Sequence, residues 1–139
     1  MFFDKRETKG FGEEGTISYN LWTDETEVPL SPNWKDIKTA IERLDGNNRS
    51  FLVLEAEPPL ENAVYVQAAW YTEKTQGFFK KTREPAFYLV EVQILQSDGM
   101  RTQYALKTQN EEDIRKIFQD FFIQRRLPDL EVWENAGFY

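Results

Sequence analysis

Apolar residues recur along this chain with two periods, and the switches between them mark out the elements. In TISYNLW, from Thr16, the alternate residues Ile17, Tyr19 and Leu21 predict a strand with those three on one face. In SPNWKDIKTAIERLDG, Trp34, Ile37, Ile41 and Leu44 recur at helical spacing, with Ala40 beside them. Ser31 suits the cap of that helix and Pro32 its first position, and Gly46 can end it in a left-handed conformation. SFLVLEAE then predicts a strand with Phe51, Val53 and also Leu54 turned inward, with Trp34 packed against Phe51 or Val53, and stopped by Pro58 and Pro59. AVYVQAAWYTE predicts the next strand, and the small residues Ala68 and Ala69 suggest a helix packed closely over it.

The second half continues in the same way. KTQGFFKKTREP predicts an exposed loop or hairpin tip with Phe78 and Phe79 among basic residues. AFYLVEVQIL and RTQYALKT flank Asp98-Gly99, a strong hairpin signal. NEEDIRKIFQDFFIQRR predicts a second helix, capped by Asn110, with Ile114, Ile117, Phe118, Phe121 and Phe122 as its buried stripe. LEVWENAGFY predicts a short last strand or tail. Residues 1–15, polar apart from Phe2, Phe3 and Phe11, read as a loose arm or edge strand. Strands joined by hairpins, with two helices, predict an α+β fold: an antiparallel sheet of five to six strands with both helices on one face. No repeat or linker divides residues 1–139, so one domain is expected.

Composition narrows the function. A chain of 139 residues can bury about 68% of its unfolded surface, enough for a core without metals or disulfides. There is no Cys, which removes disulfides, thiolate metal sites and a Cys nucleophile. There is no His, which removes the usual general base and the commonest metal ligand. The net charge of −7 disfavours direct contact with nucleic acid or an anionic membrane, and favours steering toward a basic partner. The opening MFFDKRETKGFGEEG places acids where a signal peptide needs an apolar run, so the expected compartment is the cytoplasm.

Candidate chemistry is sparse. Glu13-Glu14 falls in the arm, and Glu111-Glu112 is accounted for by the positive end of a helix dipole. Phe78, Phe79, Lys80, Lys81 and Arg83 superficially resemble a single-strand nucleic-acid site, but the stretch is short in an acidic chain. Glu55 and Glu57 lie two apart in a strand and therefore share a face, and with Glu61 they form an acidic patch. No cofactor, metal or catalytic residue is expected, and the chain reads as a binding module rather than an enzyme.

Two segments carry a family resemblance. NWKDIKTAIERLDGNNRSFLVLE, residues 33–55, has a Trp opening a helix, a Leu-Asp-Gly stop and then a strand. IRKIFQDFFIQRRLPDLEVWE, residues 114–134, has an amphipathic helix, a short break, Pro-Asp-Leu and a Trp-Glu ending. Together they resemble the family numbered first among the immunity proteins of bacterial polymorphic-toxin systems. The resemblance implies an inhibitor that binds a cognate toxin and blocks it. Acidity then suggests a basic enzyme domain as that partner, with the active site occluded. The expected contacts are Glu55, Glu57, Glu61, Trp70, Glu73 and Phe78, on neighbouring strand ends and a loop. The alternative is a small-ligand-binding α+β domain with an aromatic-lined pocket between sheet and helices, motivated by 11 Phe and 6 Tyr.

Overall fold

A computed structural model describes residues 16–25, 29–46, 49–72 and 86–138. The elements are β1 (Ser18–Thr23), α1 (Trp34–Glu42), β2 (Phe51–Leu60), β3 (Ala63–Thr72), β4 (Ala86–Leu95), β5 (Arg101–Thr108), α2 (Glu111–Gln119) and β6 (Glu134–Phe138). The six strands form one antiparallel sheet in which spatial order is chain order. This is the α+β sheet with two helices that the pattern predicts.

Both helices bury their apolar stripes in one cluster. Ile37, Ala40 and Ile41 of α1 and Ile114, Ile117 and Phe118 of α2 meet Leu52, Leu54, Val66, Ala68, Val90 and Val92 of the central strands. Those strand residues are register partners across the sheet, so they stand on the same face. Val66 and Ala68 are wholly buried there, and the small Ala68 lets the helix layer approach closely. Ala69 points the other way.

Four local expectations are corrected. Phe51 and Val53 are not inward: Leu52, Leu54 and Ala56 are buried, and Phe51 is 37% exposed. The run Phe51–Leu54 is apolar at every position, so either phase fits it, and a shift of one residue exchanges the faces. Trp34 therefore cannot pack on Phe51 or Val53; it lies half-buried against the helix-side core. Asn33, not Ser31, caps α1, leaving Pro32 outside the helix. Asn33 Oδ1 accepts from the Asp36 N–H at 2.8 Å, and Asp36 Oδ2 accepts from the Asn33 N–H at 3.0 Å, a reciprocal box that Ser31 could not form. Finally, Pro58 and Pro59 do not end β2, which runs on to Leu60. They interrupt its ladder instead: the register with β3 shifts between Glu55 and Leu60.

The second helix changes character at its end. After α2 the chain makes a π-helical turn over Asp120–Gln124, then turns at Arg125, which is left-handed at φ 56°. The Tyr19 hydroxyl donates to the Phe121 carbonyl at 2.8 Å, and the two rings meet edge to face with centroids 5.8 Å apart. Among the described residues, no helix is long and apolar enough to cross a membrane.

Candidate protein-binding face

With both helices on one side, the second face of the sheet has no helix over it among the described residues. The register assigns its occupants row by row. Trp22, Val53, Gln67, Glu91 and Ala105 stand across the middle of the sheet. Next to them, toward the start of β2, come Phe51, Ala69, Leu89 and Lys107, and then Tyr71 and Phe87. On the other side lie Asn20, Glu55, Tyr65, Gln93 and Gln103. One end of the face is thus aromatic and aliphatic, and the other is polar.

The aromatic end is built on specific supports. Asp24, just past β1, accepts hydrogen bonds from the Ser50 N–H at 3.0 Å and the Phe51 N–H at 3.1 Å, and also from the Ser50 hydroxyl. These bonds fix the start of β2 and with it Phe51. Slight burial alone would raise the Asp24 carboxyl, but those bonds outweigh it and hold it below its ordinary value. Tyr71 stacks on Phe87 with centroids 5.8 Å apart and planes at 24°. Lys107 Nζ lies 4.9 Å from the centre of the Phe87 ring, a cation–π contact closing that corner. Over β2 and β3 is a recess of about 430 Å³, with Phe51, Val53, Gln67, Ala69 and Tyr71 in its wall. Tyr71 is 46% exposed.

The polar end is a bonded network. Gln93 Nε2 donates to Gln103 Oε1 at 3.2 Å, Gln103 Nε2 donates to the Tyr65 hydroxyl at 3.0 Å, and Arg101 Nη1 donates to Gln93 Oε1 at 2.9 Å. Gln93 and Gln103 are both buried, and these bonds satisfy them. Gln67 Nε2 donates to Glu91 Oε1 at 3.0 Å. Among the described residues, no Lys or Arg stands within ion-pair distance of Glu91. Burial pushes its carboxyl above the usual glutamate range, partly offset by a hydrogen bond from Gln103.

That shift has a sign that can be tested. A carboxyl whose folded pKa is raised is ionised at a cost to the fold above that pKa, and the cost disappears below the unfolded value. Glu91→Gln, which retains an acceptor for Gln67, should therefore unfold at a higher temperature than the wild type at about pH 7. The difference should close as the pH falls toward about 4, where glutamate is protonated in both states. Thermal unfolding of the two proteins at both pH values makes the comparison; a less stable variant at neutral pH would mean that the carboxylate supports the fold.

The expected contact residues are divided by this geometry. Glu55 and Glu57 do share the second face, with Glu55 half-buried and Glu57 exposed. Glu61 sits in the β2–β3 turn at φ 50°, beyond the prolines. Trp70 belongs to the helix side: its ring meets Tyr88 edge-on at 5.0 Å and packs against the core. It stands near the far end of β3 from the turn that holds Glu61, so the patch and its aromatic anchor do not converge. Glu73 and Phe78 lie outside the described residues. Trp22, Phe51, Gln67, Tyr71, Phe87 and Glu91 were not among the expected contacts. Their signal was the period of two in Phe87, Leu89, Glu91 and Gln93, where a charged and a polar residue mark the outward phase of β4.

No family model matches this chain, and neither does any curated protein or solved structure.

Proposed function

We propose that this protein is an inhibitory binding module of the immunity type, which occludes the active site of a cognate toxin with the sheet face opposite its helices. The observation that carries the reading is that face itself. It carries the aromatic rings of Trp22, Phe51, Tyr71 and Phe87, of which Phe51 and Tyr71 wall a recess, and on the same face stand the carboxylates of Glu55, Glu57 and Glu91. Large rings beside a shallow recess, ringed by polar groups, are the usual anchors of protein interfaces. Those carboxylates and the net charge of −7 suit a basic partner and speed encounter with it. Binding without turnover is sufficient for such a role, and the purified protein is expected to catalyse nothing alone.

The test is co-expression with the toxin encoded beside this chain. Wild-type protein should protect the host. Phe51→Ala combined with Tyr71→Ala should weaken toxin binding roughly tenfold to a hundredfold, with the circular dichroism spectrum unchanged. Glu55→Gln with Glu57→Gln should mainly slow association and flatten its dependence on salt, because steering acts over about 8 Å at physiological ionic strength. A folded Phe51/Tyr71 double variant that binds the toxin as tightly as wild type excludes this face.

One observation favours a second reading, a small-ligand site. A recess of about 470 Å³ lies beside α2, lined by Leu106, Ile117, Leu127, Pro128 and Trp133 together with Lys116 and three Asp. Leu106 and Ile117 place it at the junction of sheet and helix. A metabolite that raises the melting temperature, and does so no longer after Leu106→Arg, would support that reading over the first.

A further inference from the structure

The recess beside α2 combines an apolar floor with a rim that carries both signs of charge. Leu106 reaches it from the sheet, Ile117 from the helix, and Leu127 and Trp133 from the segment that follows. Ile117 and Trp133 are buried, so the floor belongs to the packed body of the protein. On the helix side the charged groups are already engaged within the chain. Lys116 Nζ donates to Asp120 Oδ2 at 3.3 Å, and Asp113 Oδ2 accepts from the Thr108 hydroxyl at 2.5 Å. On the other side stand Arg126 and Asp129, which flank Leu127-Pro128 and both line the recess. Three residues apart, their α-carbons lie within about 10 Å of each other. No ion pair joins these two opposite charges. Their backbone is held at both ends: the Arg126 N–H donates to the Asp120 carbonyl at 3.0 Å, and Asp129 Oδ1 accepts from the Glu131 N–H at 3.0 Å.

We propose that this recess binds a free α-amino acid with a large apolar side chain. Its carboxylate lies on the Arg126 guanidinium, its ammonium on the Asp129 carboxylate, and its side chain on the floor of Leu106, Ile117 and Trp133. This rests on the reading of the recess as a small-ligand site and does not depend on the sheet face opposite the helices. Three features select the ligand. A space of about 470 Å³ admits a side chain of the size of leucine or phenylalanine together with its α-carbon groups. An α-amino acid carries its two charges on one carbon, so both can be met by side chains of one short segment, through charge-assisted hydrogen bonds. The mixed rim selects against the singly charged alternatives. An acid without an ammonium would face three aspartates, and an amine without a carboxylate would face Lys116 and Arg126. An uncharged apolar molecule would cover polar groups of the rim and give them no bond in return.

The test uses the full chain and L-phenylalanine, followed by NMR at the Trp133 indole N–H and the Leu106 methyls. Saturable shifts at both are expected, with a dissociation constant on the order of millimolar. N-acetyl-L-phenylalanine, which lacks the ammonium, and L-phenylalanine amide, which lacks the carboxylate, should each bind about tenfold more weakly. Glycine should produce no saturable shift. Asp129→Asn, which keeps an acceptor for the Glu131 N–H, should abolish the preference for phenylalanine over its N-acetyl derivative. Arg126→Gln should abolish the preference over the amide. Both positions are exposed, so both variants should melt as the wild type does. Equal binding of the three aromatic probes, shifts confined to other parts of the chain, or unchanged preferences in both variants would each overturn the proposal. Indole separates the two levels. If indole shifts the Trp133 and Leu106 signals and phenylalanine does not, the recess is a ligand site and the amino-acid proposal falls. If neither shifts them, the small-ligand reading falls with it.

Discussion

Phe118→Ala is expected to remove about 3–5 kcal/mol of stability, because the ring is wholly buried between α2 and the sheet and its loss leaves a cavity that packed neighbours cannot fill. The same truncation at Phe51 or Tyr71, on the opposite face of the sheet, should cost less than about 1 kcal/mol each, since both rings retain much of their exposure to water. Denaturant titrations of the three variants test the contrast. It matters for function, because a large ring whose removal barely affects folding has another reason to be there. If Tyr71→Ala were as damaging as Phe118→Ala, the second face would be core and the interface would have to lie elsewhere. A partly unfolded Tyr71 variant would also make any loss of toxin binding uninformative, so this experiment precedes the binding assay.

Gly46→Ala is expected to destabilise by about 3 kcal/mol and Gly99→Ala by only about 1 kcal/mol. Both glycines have positive φ, 86° and 90°, so each substitution carries the strain of a left-handed residue. They differ in surroundings. A Cβ on Gly46 would come within 2.6 Å of Trp70 Cδ1, whereas a Cβ on Gly99 would meet nothing within 4 Å. Trp70 would have to shift, and its edge-on contact with Tyr88 would shift with it. The two melting curves, and the fluorescence of Trp70 in a background with Trp22, Trp34 and Trp133 replaced by Phe, measure the difference. Equal losses at the two positions would show that Trp70 yields freely, and its place in the core would need revision.

The architecture was legible because its signals were redundant. Asp98-Gly99 fixed one hairpin, the stripes of both helices were unambiguous, and Tyr19 and Leu21 face the core as their alternation requires. The phase of β2 was not legible. Phe51, Leu52, Val53 and Leu54 can each be buried, and only the partners on β1 and β3 decide which are. The candidate site inherited that ambiguity. An inward Phe51 and Val53 would leave the second face without its aromatic end, and Trp70, an expected contact, stands on the helix side instead. Glu55 and Glu57 survived because a spacing of two keeps residues together whatever the phase. Ser31 and Asn33 both have capping side chains, and the reciprocal bond with Asp36 decides for Asn33.

The meander order of the sheet has a consequence for how the chain folds. Every strand pairs only with its neighbours in sequence, so no pairing waits for a remote segment, and the sheet can grow one strand at a time. Loop closure then costs little at each step. The bond from Tyr19 to Phe121 is of another kind, spanning 102 positions and fastening β1 to the turn that ends α2. It can form only when both margins of the structure are already in place. Tyr19→Phe, which deletes the hydroxyl and leaves the ring, is a conservative probe of the order of events: if the bond forms late, its loss accelerates unfolding and leaves the refolding rate nearly unchanged.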